Sequence, residues 1–235
     1  MLQLRVSKAR FVASAATSTA LVFVATASIS IYIPATRGYF NLGDSMIFLT
    51  SLLFGPSVGC IAGGVGSMLS DLFLGYTVYA PATLVVKGFE GLLTGLLYRF
   101  FTGKKTGSAR LLMTLLPIPT VILGSIIVII LFSGEAEVSL LTISSATVAF
   151  QPLLFSILVV LACSIILLLR LYERNLPLIV PCFIGGFEMV LGYFLYELFL
   201  VGLGAVFEVP ANFAQAFLGT LIAVPLYNAV RKRTS

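Results

Sequence analysis

Leu153–Leu169 reads LLFSILVVLACSIILLL, and Leu111–Phe132 reads LLMTLLPIPTVILGSIIVIILF. Neither run carries a charge. An apolar run of about 18 residues is long enough to cross the hydrocarbon core of a bilayer. The rest of the chain agrees: its 235 residues are 59% hydrophobic and 10% charged, whereas a soluble domain carries roughly 25% charged residues. So few charges do not clothe a water-facing surface, and an all-α integral membrane protein is expected.

Working outward from these runs, eight apolar segments are expected, at roughly 9–34, 43–55, 57–76, 80–101, 111–133, 146–171, 177–203 and 209–230. The second is too short to span alone at about 1.5 Å per residue. The first follows Arg5, Lys8 and Arg10, and Ala25-Thr26-Ala27 resembles a cleavage site. The run from Phe11 to Pro34 nevertheless exceeds a signal-peptide core of about 7–15 residues, so it is read as a retained helix. Glycines 59, 63, 64 and 66 crowd the third segment. They fit either close helix packing or the interrupted helices found beside transporter binding sites.

Basic residues supply an orientation. Twelve of the fourteen fall at one set of segment ends: Arg5, Lys8 and Arg10; Arg99, Lys104, Lys105 and Arg110; Arg170 and Arg174; Arg231, Lys232 and Arg233. The positive-inside rule makes these ends, and both termini, cytoplasmic. The loops 35–43 and 71–81, with Glu135, Glu137 and Glu208, then face outward, and only Arg37 and Lys87 depart from the pattern. The net charge of +5 is thereby explained by topology, and no nucleic-acid partner is expected.

Polar side chains inside apolar spans are costly and mark functional sites. Lys87 and Glu90 are three residues apart in the fourth segment, hence on one helical face. The seventh segment carries Glu188, Tyr193, Tyr196 and Glu197, and the eighth carries Asn212 and Gln215. All are expected between mid-membrane and the outer surface, where they would form one outward-facing pocket. The outer loop 33–44 adds Tyr39, Asn41 and Asp44, and the loop 71–81 adds Asp71, Tyr76 and Tyr79, with rings available to stack on a flat ligand. On the first helix, Ala9, Ala13, Ala16 and Ala20 form a smooth stripe suited to another helix.

Enzymatic chemistry is poorly provided for. The sequence has no histidine, which removes the usual proton shuttle and commonest metal ligand. Cys60, Cys163 and Cys182 are too scattered for a disulfide framework or a zinc site. Gly103-Lys104-Lys105-Thr106 lacks the upstream glycine of a phosphate loop, since Tyr98 stands there. Neither a metal nor a cofactor is expected.

The ordered stretches Gly38-Tyr39-Phe40-Asn41-Leu42-Gly43-Asp44, Leu53-Phe54-Gly55-Pro56, Gly75-Tyr76, Ala80-Pro81-Ala82-Thr83, Lys87-Gly88-Phe89-Glu90-Gly91, Gly185-Gly186 and Gly192-Tyr193-Phe194, with Asn212 and Gln215, resemble the substrate-binding S components of energy-coupling factor (ECF) importers. The nearest branch is the riboflavin type, which includes hydroxymethylpyrimidine and pyridoxine binders. The resemblance covers roughly 1–103 and 176–232. It implies a six-helix bundle in the cell membrane with both ends cytoplasmic. A small vitamin-like ligand would be held near the outer face by Tyr39, Asn41, Asp44, Lys87, Glu90, Glu188, Tyr193, Glu197, Asn212 and Gln215. It also implies partners, a transmembrane coupling protein with two ATPase subunits. In the family an Ala-xxx-Ala pattern on the first helix meets the coupling protein; Ala16 and Ala20 fit best, with Ala9 and Ala13 as the alternative. Against six family helices, residues 104–175 stand out as an inserted transmembrane hairpin in the single membrane domain 1–235. A reading from another class is a stand-alone ion-coupled carrier using Lys87, Glu90 and Glu188.

Overall fold

A computed structural model describes residues 8–33, 36–103, 135–140, 144–149 and 175–234. The chain divides into two units, residues 1–105 with 177–235, and residues 106–176. In the second unit the described residues are chiefly an antiparallel hairpin, Glu135–Leu140 paired with Ser144–Ala149. The remainder of the expected segments 111–133 and 146–171, and with them the inserted hairpin and Cys163, lie outside the described residues. The start expected for the segment at 146 is corrected, since residues 146–149 are strand.

Among the described residues, the first unit is built from six α-helices. These are α1 (Lys8–Ser28), α2 (Gly43–Phe54), α3 (Pro56–Leu74), α4 (Ala80–Gly103), α5 (Leu176–Val201) and α6 (Val209–Thr234). All but α2 are long and apolar enough to cross a membrane. The 12 residues of α2 reach about 18 Å, short of the roughly 30 Å hydrocarbon core. Polar and apolar groups are inverted relative to a soluble protein. Phe199, Leu203, Phe73 and Val85 are exposed, while Asp44, Glu90, Glu197, Ser51, Ser70 and Thr94 are fully buried. Only a lipid solvent favours that arrangement, and the chain is a multi-pass membrane protein.

Two strands amend the all-α expectation in this unit. The first apolar segment does not stay helical to residue 34. Its β-branched and aromatic end, Ile31–Ile33 (β1), pairs antiparallel with Gly38–Phe40 (β2), in the register Ile31↔Phe40, Tyr32↔Tyr39 and Ile33↔Gly38. Arg37 closes the turn at φ 59°, and its N–H donates to the Ile33 carbonyl at 2.9 Å. The expected outer loop is thus a hairpin.

Glycine lets α3 and α4 approach closely. A Cβ on Gly91 would strike the carbonyl group of Gly59 and lie 3.2 Å from the Cys60 backbone nitrogen; one on Gly64 would lie 2.6 Å from the Leu84 carbonyl oxygen. The close-packing reading therefore accounts for these glycines. Gly91→Val is expected to push the helices apart and destabilise the protein by about 1–3 kcal/mol, the usual range for overpacking. Thermal unfolding in detergent measures this.

The core divides along the bundle. Phe48 and Leu52 of α2 pack with Leu178 and Cys182 of α5 and with Ala223 and Tyr227 of α6. Elsewhere Val86, Met189, Val190, Tyr193 and Ala216 form a second cluster with Tyr79, and a polar cavity adjoins it.

Candidate functional site

The cavity encloses about 380 Å³, its open mouth included. Its wall is shared among Gly38, Tyr39 and Asn41 of the hairpin and the turn after it, Thr26 of α1, and Ser67 and Asp71 of α3. Tyr79, Thr83 and Lys87 come from the start of α4 and the turn before it, Tyr193 from α5, and Glu208, Asn212 and Gln215 from α6 and its approach. Six residues expected from sequence are therefore brought together: Tyr39, Asn41, Lys87, Tyr193, Asn212 and Gln215.

Local structure explains their placement. Gly75 adopts φ 88°, the left-handed cap that ends α3, and the Tyr76 N–H closes the turn onto the Asp71 carbonyl at 2.8 Å. The chain then doubles back so that Tyr76 stacks on Tyr39, centroids 4.2 Å apart. The Tyr39 hydroxyl donates to Asp71 Oδ1 at 2.6 Å. Across the cavity, the hydroxyls of Thr83 and Tyr193 share a hydrogen bond of 2.8 Å. After β2, Asn41 Oδ1 accepts the Gly43 N–H at 2.9 Å, and Gln215 Oε1 accepts the Asn41 N–H at 2.9 Å. Gln215 thus reads the hairpin's backbone and ties it to α6.

Lys87 is the electrostatic centre. Its ammonium pairs with Asp44 Oδ1, and with Glu90 Oε2 at 3.2 Å, and it lies 5.7 Å from the centre of the Tyr193 ring. Gln215 Nε2 donates to the same Asp44 oxygen at 3.1 Å. Lys87 is 2% exposed, while Asp44 and Glu90 are fully buried. Asp44 and Glu90 do not line the cavity; they stand behind Lys87 and hold its charge in place. Glu188 is half-buried outside the lining, with Oε2 unpartnered.

Glu197 does not line the cavity either; it is fully buried, whereas Glu208 lines the wall. Neither oxygen of Glu197 has a hydrogen-bond partner. Glu208 accepts the Thr36 hydroxyl, and the Tyr79 hydroxyl donates to the Thr36 carbonyl at 2.7 Å. Burial pushes the Glu208 carboxyl up to about 7. A carboxyl raised from 4.5 binds more protons folded than unfolded, so its contribution to stability is full below that value and declines as pH rises towards 7. Melting temperature is expected to fall between pH 4.5 and about 7, and Glu208→Gln to flatten this slope. A melting series of both proteins checks it.

Thr26, Gly38, Ser67, Asp71, Tyr79, Thr83 and Glu208 line the cavity without having been expected in the pocket by residue. Asp71 and Tyr79 were legible as members of a nearby loop. Among the described residues no group of three or more potential ligands is placed to hold a metal ion.

The family model for the ECF-type riboflavin transporter, S component, matches residues 7–174. The match runs through residues 104–174, so it lends the inserted-hairpin reading no support. It ends before α5 and α6, which supply Tyr193, Asn212 and Gln215. A Pyrococcus woesei protein described as an uncharacterized protein in gap 3' region is 44% identical over 117 residues, 50% of this chain and 72% of that protein.

Proposed function

Because this chain belongs to the family of ECF-type riboflavin transporter S components, a family of substrate-binding transporter subunits, we propose that it captures a vitamin or vitamin precursor for ATP-driven import. The observation that carries the proposal is the cavity itself: tyrosine rings, amides and one fixed ammonium converge from the hairpin, the adjoining turns and helices α4, α5 and α6. A buried polar group left unpaired is penalised by roughly 1–3 kcal/mol, so such a wall selects for a ligand that satisfies it. Tyr39 and Tyr193 would contact a flat ring, and Asn41, Lys87, Asn212 and Gln215 would read its edge. Asp44 and Glu90 would hold Lys87 in place. Glu188 and Glu197 would act from outside the wall.

Transport would require a transmembrane coupling protein and two ATPase subunits, with both termini of this chain cytoplasmic and the cavity opening outward. The alanine stripe on α1 would meet the coupling protein.

The purified chain is expected to retain a small molecule, identifiable by mass spectrometry. Asn212→Ala is expected to weaken its binding by about tenfold or more, since the lost amide leaves ligand atoms unpaired. Unchanged affinity in that variant would remove α6 from the site. The buried trio Lys87, Asp44 and Glu90 favours one other reading, a carrier that couples to ions and acts alone. Uptake by vesicles lacking any ATPase would establish that alternative, and its absence there supports the ATP-driven reading.

A further inference from the structure

Among the described residues, the interior of the helical unit holds six carboxyl groups that are buried or half-buried: Asp44, Asp71, Glu90, Glu188, Glu197 and Glu208. It holds one ammonium, that of Lys87. Lys87 is already committed to Asp44 and Glu90, so it leaves the cavity no net positive charge to offer a ligand. The two carboxyls that line the cavity are Asp71 and Glu208. Glu208 is occupied by Thr36. Asp71 is only 3% exposed, and while its Oδ1 accepts from Tyr39, its Oδ2 has no hydrogen-bond partner. A buried carboxylate oxygen without a donor is costly, and the cavity is the space from which a donor would come.

The aromatic lining points the same way. Tyr39, Tyr79 and Tyr193 share the wall with Asp71, and ring faces attract cations as well as flat rings. An anionic ligand would meet a carboxylate surplus at close range. An uncharged one would leave Asp71 uncompensated.

Resting on the binding role proposed above, we infer that the ligand is a small organic cation, flat and bearing a positively charged nitrogen, with Asp71 as its counter-charge and hydrogen-bond acceptor. The bound state brings a positive charge to Asp71, since the wall's ammonium, Lys87, is already paired with Asp44 and Glu90. This distinguishes the cavity from a site for uncharged flavins.

The test uses the full-length chain in detergent at neutral pH with four probes. Thiamine and pyridoxamine are cations; riboflavin and pyridoxine carry no net charge. At least one cation is expected to bind about tenfold or more tightly than either uncharged probe, because hydrogen bonds to charged groups are the stronger class. Asp71→Asn is expected to erase that margin while leaving the melting temperature close to that of the parent. Preference for riboflavin or pyridoxine would overturn the cation assignment and leave the binding role intact. So would cation affinity indifferent to Asp71→Asn. The selectivity of the parent protein decides the matter if the variant does not fold. If none of the four binds, the net charge of whatever the denatured protein releases decides it, a cation supporting the inference and an uncharged molecule or anion overturning it. No binding and nothing released would overturn both the inference and the binding role.

Discussion

Lys87→Met is expected to abolish ligand retention and to destabilise the protein by about 3–5 kcal/mol, the usual consequence of removing one partner from a buried ion pair. Two fully buried carboxyls, Asp44 and Glu90, share this single ammonium, and methionine leaves both without a counter-charge. The loss has a separable part. In the triple variant Lys87→Met, Asp44→Asn, Glu90→Gln no charge is left stranded, so stability is expected to recover, because a buried ion pair replaced as a set costs far less than one broken. Ligand retention is not expected to recover, because Lys87 itself lines the cavity. Melting temperature and co-purified ligand, measured on both variants, give the two parts independently. A triple variant that binds normally would make the trio a packing device.

Leucine at Ala16 and Ala20 together is expected to reduce cellular uptake by about tenfold or more, with ligand affinity unchanged, as for loss of a close-packed helix contact. The basis is the geometry of α1. Ala15, Ser18, Val22 and Thr26 are its buried positions, whereas Ala9, Ala13, Ala16 and Ala20 are all exposed. At 3.6 residues per turn the two stripes lie roughly 150° apart, so the alanines face away from the bundle. Leucine there costs little against lipid but holds an incoming helix off. The matching pair Ala9→Leu, Ala13→Leu distinguishes which half of the stripe is used. Normal uptake in both double variants would dismiss the stripe as a docking surface.

Helix positions were legible wherever an apolar run ends against punctuation. Expected spans at 80–101, 177–203 and 209–230 lie close to α4, α5 and α6, and the expected 43–55 lies close to α2. The overrun at the end of α1 has a physical cause. Ile31, Tyr32 and Ile33 are as apolar as a helix end, and hydropathy alone does not separate strand from helix in so short a run. Their β-branched and aromatic character was the available signal. Within the site, the Lys87–Glu90 spacing was readable because a helix places such residues on one face. That Asp44 completes the pair was not, since it depends on how α2 packs against α4. Glu208 was assigned to the exterior by charge placement alone. Its burial follows from the hairpin folding over it through Thr36. Thr26, Ser67 and Thr83 look in sequence like ordinary helix-packing hydroxyls, and only the fold separates them from the others.

The chain has nine tyrosines and no tryptophan. Three of those tyrosines line the cavity, and a fourth, Tyr76, is stacked on one of them. Near-ultraviolet emission from this molecule is thus dominated by phenol rings, a large share of them within reach of any cargo. Loading can be followed as a dimming of the native signal, with no label attached, and replacing Tyr39 by phenylalanine would identify which part of that light the occupant extinguishes.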